Sequence, residues 1–114
     1  MTAQFAVHRH DDGGGVTRLA VHGEIDSDVS EAFSALVVDT VEQEDVTDLV
    51  IDLHHVTFLA AAGVRALLDG RNAAARRACP FSVVNAHGVV LKVLNAVRVI
   101  EILGVVPSPV QARR

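Results

Sequence analysis

The 114-residue chain contains no tyrosine and no tryptophan, and only four phenylalanines, so any packed interior is aliphatic. A single cysteine, Cys79, excludes an internal disulfide and a cysteine-based zinc site, and suits a reducing compartment. Basic residues are too few for a cationic face: ten Lys and Arg against fourteen Asp and Glu leave a formal charge of −4, which argues against nucleic-acid binding. No apolar run approaches the roughly 20 residues of a membrane-spanning helix, so no membrane insertion is expected. The opening Met1-Thr-Ala-Gln-Phe-Ala-Val-His8 has no signal-peptide layout, and the expected location is the cytoplasm. What is present is a 50% hydrophobic, 21% charged chain, enough apolar surface for the core of one domain.

Residues Ala3–His8 alternate weakly and lead into Asp11-Asp12-Gly13-Gly14-Gly15, a tight turn before a second strand, Val16–His22. Gly23–Ser27 breaks the pattern. From Asp28 the period becomes helical, with Val29, Ala32, Phe33, Leu36, Val37 and Thr40 on one face and Asp28 and Glu31 as a capping box. The loop Glu42–Asp45 precedes Leu49–Leu53, whose near-continuous apolar run predicts a central strand buried on both faces. After the segment His54–Leu59, a helix is expected over Ala60–Ala78, with Val64, Leu67, Leu68, Arg71 and Ala75 in register, and Cys79-Pro80 stops it. Phe81–Asn85 reads as a strand. Asn85, Ala86 or His87 then opens a helix carrying Val90, Leu91, Leu94 and Val97. Val99–Val106 fits either a final strand or a short helix, and 107–114 reads as a frayed tail beyond a domain spanning 1–106. The fold class is α/β: a mixed sheet with an opening hairpin, then alternating helices and strands, the helices packed on the sheet through right-handed crossovers.

In such folds, sites gather at the carboxyl edge of the parallel strands. Two segments meet there: the acidic stretch Gly23–Asp28, and Val56–Gly63, whose helix start supplies free N–H groups and a positive dipole end. That edge is the expected docking patch. Other chemistry is weakly signalled. Asp26 and Asp52 form a conceivable acid–base pair, against the plainer reading that Asp52 caps or pairs locally. His8, His10, His22, His54, His55 and His87 raise a metal hypothesis, but no ligand motif accompanies them, and no metal or cofactor is expected. Gly13-Gly14-Gly15 lacks the lysine and helix of a phosphate loop. Cys79 reads as a structural thiol, with a redox contact to another chain as the alternative. Arg65, Arg71, Arg76 and Arg77 read as a solvated helix face or a partner surface.

The chain resembles a STAS domain, the fold of bacterial anti-sigma factor antagonists, over roughly Phe5–Val106. The resemblance rests on Leu49-Val-Ile-Asp-Leu-His-His-Val-Thr-Phe-Leu-Ala-Ala-Ala-Gly-Val-Arg-Ala-Leu-Leu68. This run is similar to the family's apolar strand, aspartate, and Phe-[Leu/Met]-Asp-Ser-[Ser/Thr]-Gly before an apolar helix. Gly23-Glu24-Ile25-Asp26 matches the second signature, Gly-Glu-[Leu/Ile]-Asp. The resemblance implies a protein-binding regulator of transcription, not an enzyme. Such an antagonist binds an anti-sigma factor of the serine-kinase type, frees the sigma factor, and is switched off by phosphorylation within Asp-Ser-[Ser/Thr]-Gly. It also implies a partner surface of Glu24, Asp26, Ser27, Thr57, Ala61, Ala62, Gly63 and Arg65, with Gly63 allowing close backbone approach. Ala60-Ala61-Ala62-Gly63 departs from the motif: the acceptor slot falls on Ala61 or Ala62, which have no hydroxyl. Thr57 is then either a substitute acceptor or a local hydrogen-bonder. An alternative within the family is a scaffold or accessory subunit of a stressosome-like or lipid-transport ATPase complex. Whether the chain forms a homo-oligomer is open.

Overall fold

The computed structural model describes residues 4–106. Ala3, the expected first residue of the opening strand, and the expected tail at 107–114 lie outside the described residues. Seven elements follow in order: β1 (Ala6–Asp11), β2 (Val16–Ile25), α1 (Ser27–Val41), β3 (Asp48–Leu59), α2 (Ala61–Arg76), β4 (Phe81–Val84) and α3 (Gly88–Ala96). The sheet order is β1-β2-β3-β4, with β1 antiparallel to β2 and the remaining pairs parallel. This is the mixed sheet expected from the sequence.

The opening hairpin turns on Gly13, Gly14 and Gly15, whose φ values of 90°, 64° and 85° suit glycine and strain any other residue. Crossovers β2-α1-β3 and β3-α2-β4 both step across the sheet in the same direction. Right-handed connections therefore lay α1 and α2 on the same face, where they pack on one another. Leu19, Val21 and Ile25 of β2 and Leu49, Ile51 and Leu53 of β3 point into this layer, meeting Phe33 and Val37 of α1 and Leu67 of α2. Each fully buried aliphatic side chain of this kind contributes about 1.5–3 kcal/mol. α3 packs against β3 and adds Val90 and Leu94 to the same core.

Several expectations are corrected. β3 is central but not buried on both faces: Leu49, Ile51 and Leu53 are covered while Val50 and Asp52 on the other side are half-buried. The opposite face of the sheet reaches solvent through His8 and His10, with Arg18 and His22 half-buried. Gly23-Glu24-Ile25 is strand rather than loop, because β2 runs on to pair with the far half of β3. That half, His54–Leu59, is strand as well. Twelve residues of β3 lie against ten of β2, and the surplus is absorbed at two register shifts, between Ala20/His22 and between Gly23/Glu24. The bulges reset the alternation, so after Leu53 the buried positions fall three apart, at Val56 and Leu59. The start of α1 is capped by Asp26 instead of Asp28, and Ala32 and Leu36 on the expected inner face are exposed. Val99–Val106 is neither strand nor regular helix: it forms turns and closes with one parallel bridge, Val83↔Val105.

The end of α2 carries a removable strain. Cys79 N–H donates to the Ala74 carbonyl (2.9 Å) and Ala78 N–H to that of Ala75 (3.1 Å), the paired bonds of a Schellman motif. Ala78 holds the left-handed position at φ 54°, where a Cβ is disfavoured. Ala78→Gly is expected to stabilise the domain by about 0.5–1 kcal/mol after the extra backbone entropy of glycine is subtracted. A shift of the urea unfolding midpoint to higher concentration, at unchanged slope, is the result to look for.

Candidate docking edge

β2 and β3 end side by side and deliver the chain into α1 and α2 at one edge. On the β2 side, Asp26 is extended (φ −104°, ψ −173°), and its Oδ1 accepts from the N–H groups of Asp28 (3.0 Å) and Val29 (3.3 Å). The Asp26 carboxylate is thus fixed in place as the α1 N-cap rather than carried on a loop. Ser27 is exposed in the first turn, where its carbonyl accepts from Ser30 Oγ at 3.2 Å. Glu24 is half-buried in β2, in register with Phe58.

On the β3 side, Ala60 N–H donates to the Ile25 carbonyl at 2.9 Å, tying the start of α2 to the last residue of β2. Ala60 occupies the N-cap position (φ −83°, ψ 167°), and no side chain caps this helix or places an acid in its first turn. Ala61 is exposed and Ala62 half-buried. Gly63 is buried, and the close approach it permits is to the chain itself: a Cβ there would stand 2.6 Å from Leu59 Cδ1 and 2.9 Å from the Ile25 carbonyl oxygen. The expectation that Gly63 admits a partner's backbone is therefore corrected. Arg65 is exposed one turn further along.

Thr57 lies in β3, two residues before its end. It is exposed, and its hydroxyl reaches the Gly23 carbonyl at 3.5 Å, as a local hydrogen-bonder would. Two features of the edge escape the sequence reading. Phe58 is 43% exposed, an aromatic side chain turned outward beside Glu24 by the second bulge. A groove of about 220 Å³ between α1 and α2, lined by Ser30, Glu31, Ser34, Ala62, Arg65 and Asp69, extends the edge down the helices. Two of its lining residues are joined across the helices, Ser34 Oγ donating to Asp69 Oδ2 at 3.2 Å. The spacing of Leu53, Val56 and Leu59 is the one sequence signal that would have turned Phe58 outward.

The remaining candidates lie elsewhere. Asp52 does not join Asp26: it stands opposite Ala20 on the open sheet face. Burial acts to raise its carboxyl, but donors from Asn85 Nδ2 (3.0 Å) and the His54 N–H (3.0 Å), then the Arg18 guanidinium (3.3 Å), outweigh that and hold it below the usual carboxylate range. Asp52 is the hub of a local network. Cys79 is buried, with Sγ 3.6 Å from the Pro80 carbonyl oxygen, and burial pushes its thiol up, away from the reactive thiolate. Among the described residues no three His, Cys, Asp or Glu side chains converge on a point where a metal ion could sit. Among those residues, too, no helix is long and apolar enough to cross a membrane.

The comparisons with known proteins agree with the fold. A family model described as "Mlab, STAS domain" matches residues 8–105. Among solved structures, an anti-sigma factor antagonist from Mycobacterium paratuberculosis is similar at 23% identity and a TM-score of 0.77, over 98% of this chain and 92% of that one. The phosphorylated form of the Bacillus cell fate determinant SpoIIAA aligns at 16% identity and a TM-score of 0.70, over 95% and 96% of the two chains. A sulfate transporter family protein from Wolinella succinogenes aligns at 21% identity and a TM-score of 0.69, over 81% and 74%. No curated protein matches by sequence.

The uncapped start of α2 makes a direct prediction. Ala60 already has the extended backbone of an N-cap and lacks only the acceptor. Ala60→Asp is expected to add about 1 kcal/mol of stability by accepting from first-turn N–H groups, and a calorimetric melting temperature higher by about 3–6 °C checks it.

Proposed function

The chain belongs to the STAS domain family, and from that premise we propose that it is a non-catalytic, cytoplasmic binding protein that holds an anti-sigma factor of the serine-kinase type and so frees a sigma factor. The docking surface is the edge just described: Glu24, Asp26, Ser27 and Thr57 on the strand side, Ala61, Ala62 and Arg65 on the helix side. Phe58 joins it as an exposed aromatic, a residue type enriched in the cores of protein interfaces.

The observation that carries the reading is the first turn of α2. In the family motif this turn presents the phosphoacceptor; here it presents Ala61 and Ala62. A phosphate at such a place adds about −1.5 to −2 charges and three acceptor oxygens to a closely fitted interface, which opposes docking. With methyl groups in its stead, the edge stays uncharged at that point and binding is constitutive. The backbone has not paid a visible geometric cost for the change, since alanine is the strongest helix former.

A second reading, an accessory STAS subunit of a transporter complex, is favoured by the fold shared with the sulfate transporter family protein. Co-purification separates the two: an antagonist brings down an anti-sigma kinase, an accessory subunit a transporter component. For the first reading, titration of the purified protein against candidate anti-sigma kinases is expected to give a complex that Arg65→Glu weakens by about tenfold or more. Ala61→Ser or Ala62→Ser is expected to gain a phosphoryl group from the bound kinase and lose the complex. Equal affinity of native protein and Arg65→Glu would remove the helix side from the surface.

A further inference from the structure

Five histidines run across the open face of the sheet as one continuous row of rings. His8 of β1 meets His22 of β2 edge-on, with centroids 4.9 Å apart; His22 stacks on His55 of β3 at 4.4 Å and 11°; His55 meets His54 at 4.7 Å; His54 lies 5.5 Å from His87, just before α3. The first bulge of β3 makes the row possible. Neighbours on a regular strand point to opposite faces, whereas the extra residue between the Ala20 and His22 registers leaves both His54 and His55 outward. At the far end His87 Nε2 donates to the His54 carbonyl oxygen at 2.8 Å, so the ring nitrogen nearest β3 carries the proton.

The row joins three strands and the approach to α3. We propose that it is an acid-sensitive latch: as neutral rings it holds the edge strand β1 on the sheet, and when protonated it becomes a line of like charges that frees the β1 hairpin.

The surroundings of His22 give the sign. Facing it are His8 and His10 from β1, Asp52, His54 and His55 from β3, and Arg18 and Glu24 along β2 itself. Asp52 alone among these favours its charged form appreciably, and that carboxylate is already engaged by Arg18, Asn85 and the His54 N–H. Loss of hydration, then the neighbouring His55 and His8, push the His22 imidazole below the ordinary histidine range. A base whose pKa is lower folded than unfolded binds more protons when unfolded. Its stabilisation is complete above the unfolded value, near 6.5, and is lost as pH falls toward the lower folded value. β1 is the element that yields, because it is an edge strand hydrogen-bonded in the sheet to β2 alone, its register pairing His8 with Ala20 beside the row. Its other ties are few: Val7 is partly buried against the core, Phe5 just before the strand meets Phe33 edge-on, and Arg9 makes surface contacts with Gln43 and Asp45.

Backbone amide hydrogen exchange on the intact protein at pH 7.5 and 5.5, corrected for the intrinsic pH dependence, tests the latch. The expected result is about a tenfold greater loss of protection in β1 and its β2 partners than in α1 and α2, reduced to less than about threefold in His22→Gln. His55→Gln is a second variant should the first fold poorly, and an NMR titration of the native His22 ring, expected to fall below the ordinary histidine value and to rise in His55→Gln, needs no His22 substitution. Uniform protection at both pH values, or an undiminished loss in the variants, would overturn the proposal.

Discussion

The contact on which the edge where α1 and α2 begin depends is the one between Gly63 and Ile25. The first turn of α2 comes down on the last residue of β2 so closely that a single Cβ would strike a backbone carbonyl, and the Ala60 N–H bond to that same carbonyl holds it there. Because Ile25 is followed at once by the Asp26 cap, the starts of both helices share one rigid platform. Helix N-termini set side by side on a sheet edge present exposed residues from β3, α1 and α2 over a short distance, with half-buried Glu24 of β2 beside them. A flexible loop could not keep that arrangement without an ordering cost at each binding event.

The two helix starts differ in how their free N–H groups are treated. α1 is closed by a carboxylate, which satisfies two donors and offsets the positive end of the helix dipole. α2 is left uncapped by any side chain, and its first turn presents exposed Ala61 and half-buried Ala62. One end is electrostatically quenched and the other open. The same division runs through the sheet: its covered face is aliphatic, and its open face holds a charged network at Asp52 and a row of aromatic rings that belong to histidine rather than to the missing tyrosine and tryptophan.

Most of the topology was legible because it depends on patterns of period 2 and 3.6 broken by glycine and proline. The triple-glycine turn and the central place of the run Leu49–Leu53 stand where expected, while α2 ends at Arg76, two residues short of the expected Ala78, through the bonds around Ala78 rather than at Pro80. What was not legible came from register. The two bulges of β3 are invisible to any fixed period, so His54–Leu59 stayed unassigned, Gly23–Ile25 read as a loop, and Val56–Leu59 as part of the approach to a helix. Gly63 was visible as a glycine, but whether its close neighbour would be a partner or Ile25 depends on tertiary contact. The choice of Asp28 over Asp26 as cap followed from placing the end of β2 too early. Val99–Val106 resisted assignment for a physical reason: it makes one bridge to β4 and otherwise turns.

The proposed function turns on the start of α2, where Ala61 and Ala62 offer no hydroxyl to a kinase. The most direct measurement is the lifetime of the complex between the native protein and a cognate anti-sigma kinase, followed with ADP and then with ATP and magnesium, with the intact mass of the released chain read afterwards. The account predicts the same lifetime with either nucleotide and an unmodified mass. A complex that dissociates on adding ATP, leaving a native chain heavier by one phosphoryl group, would contradict it.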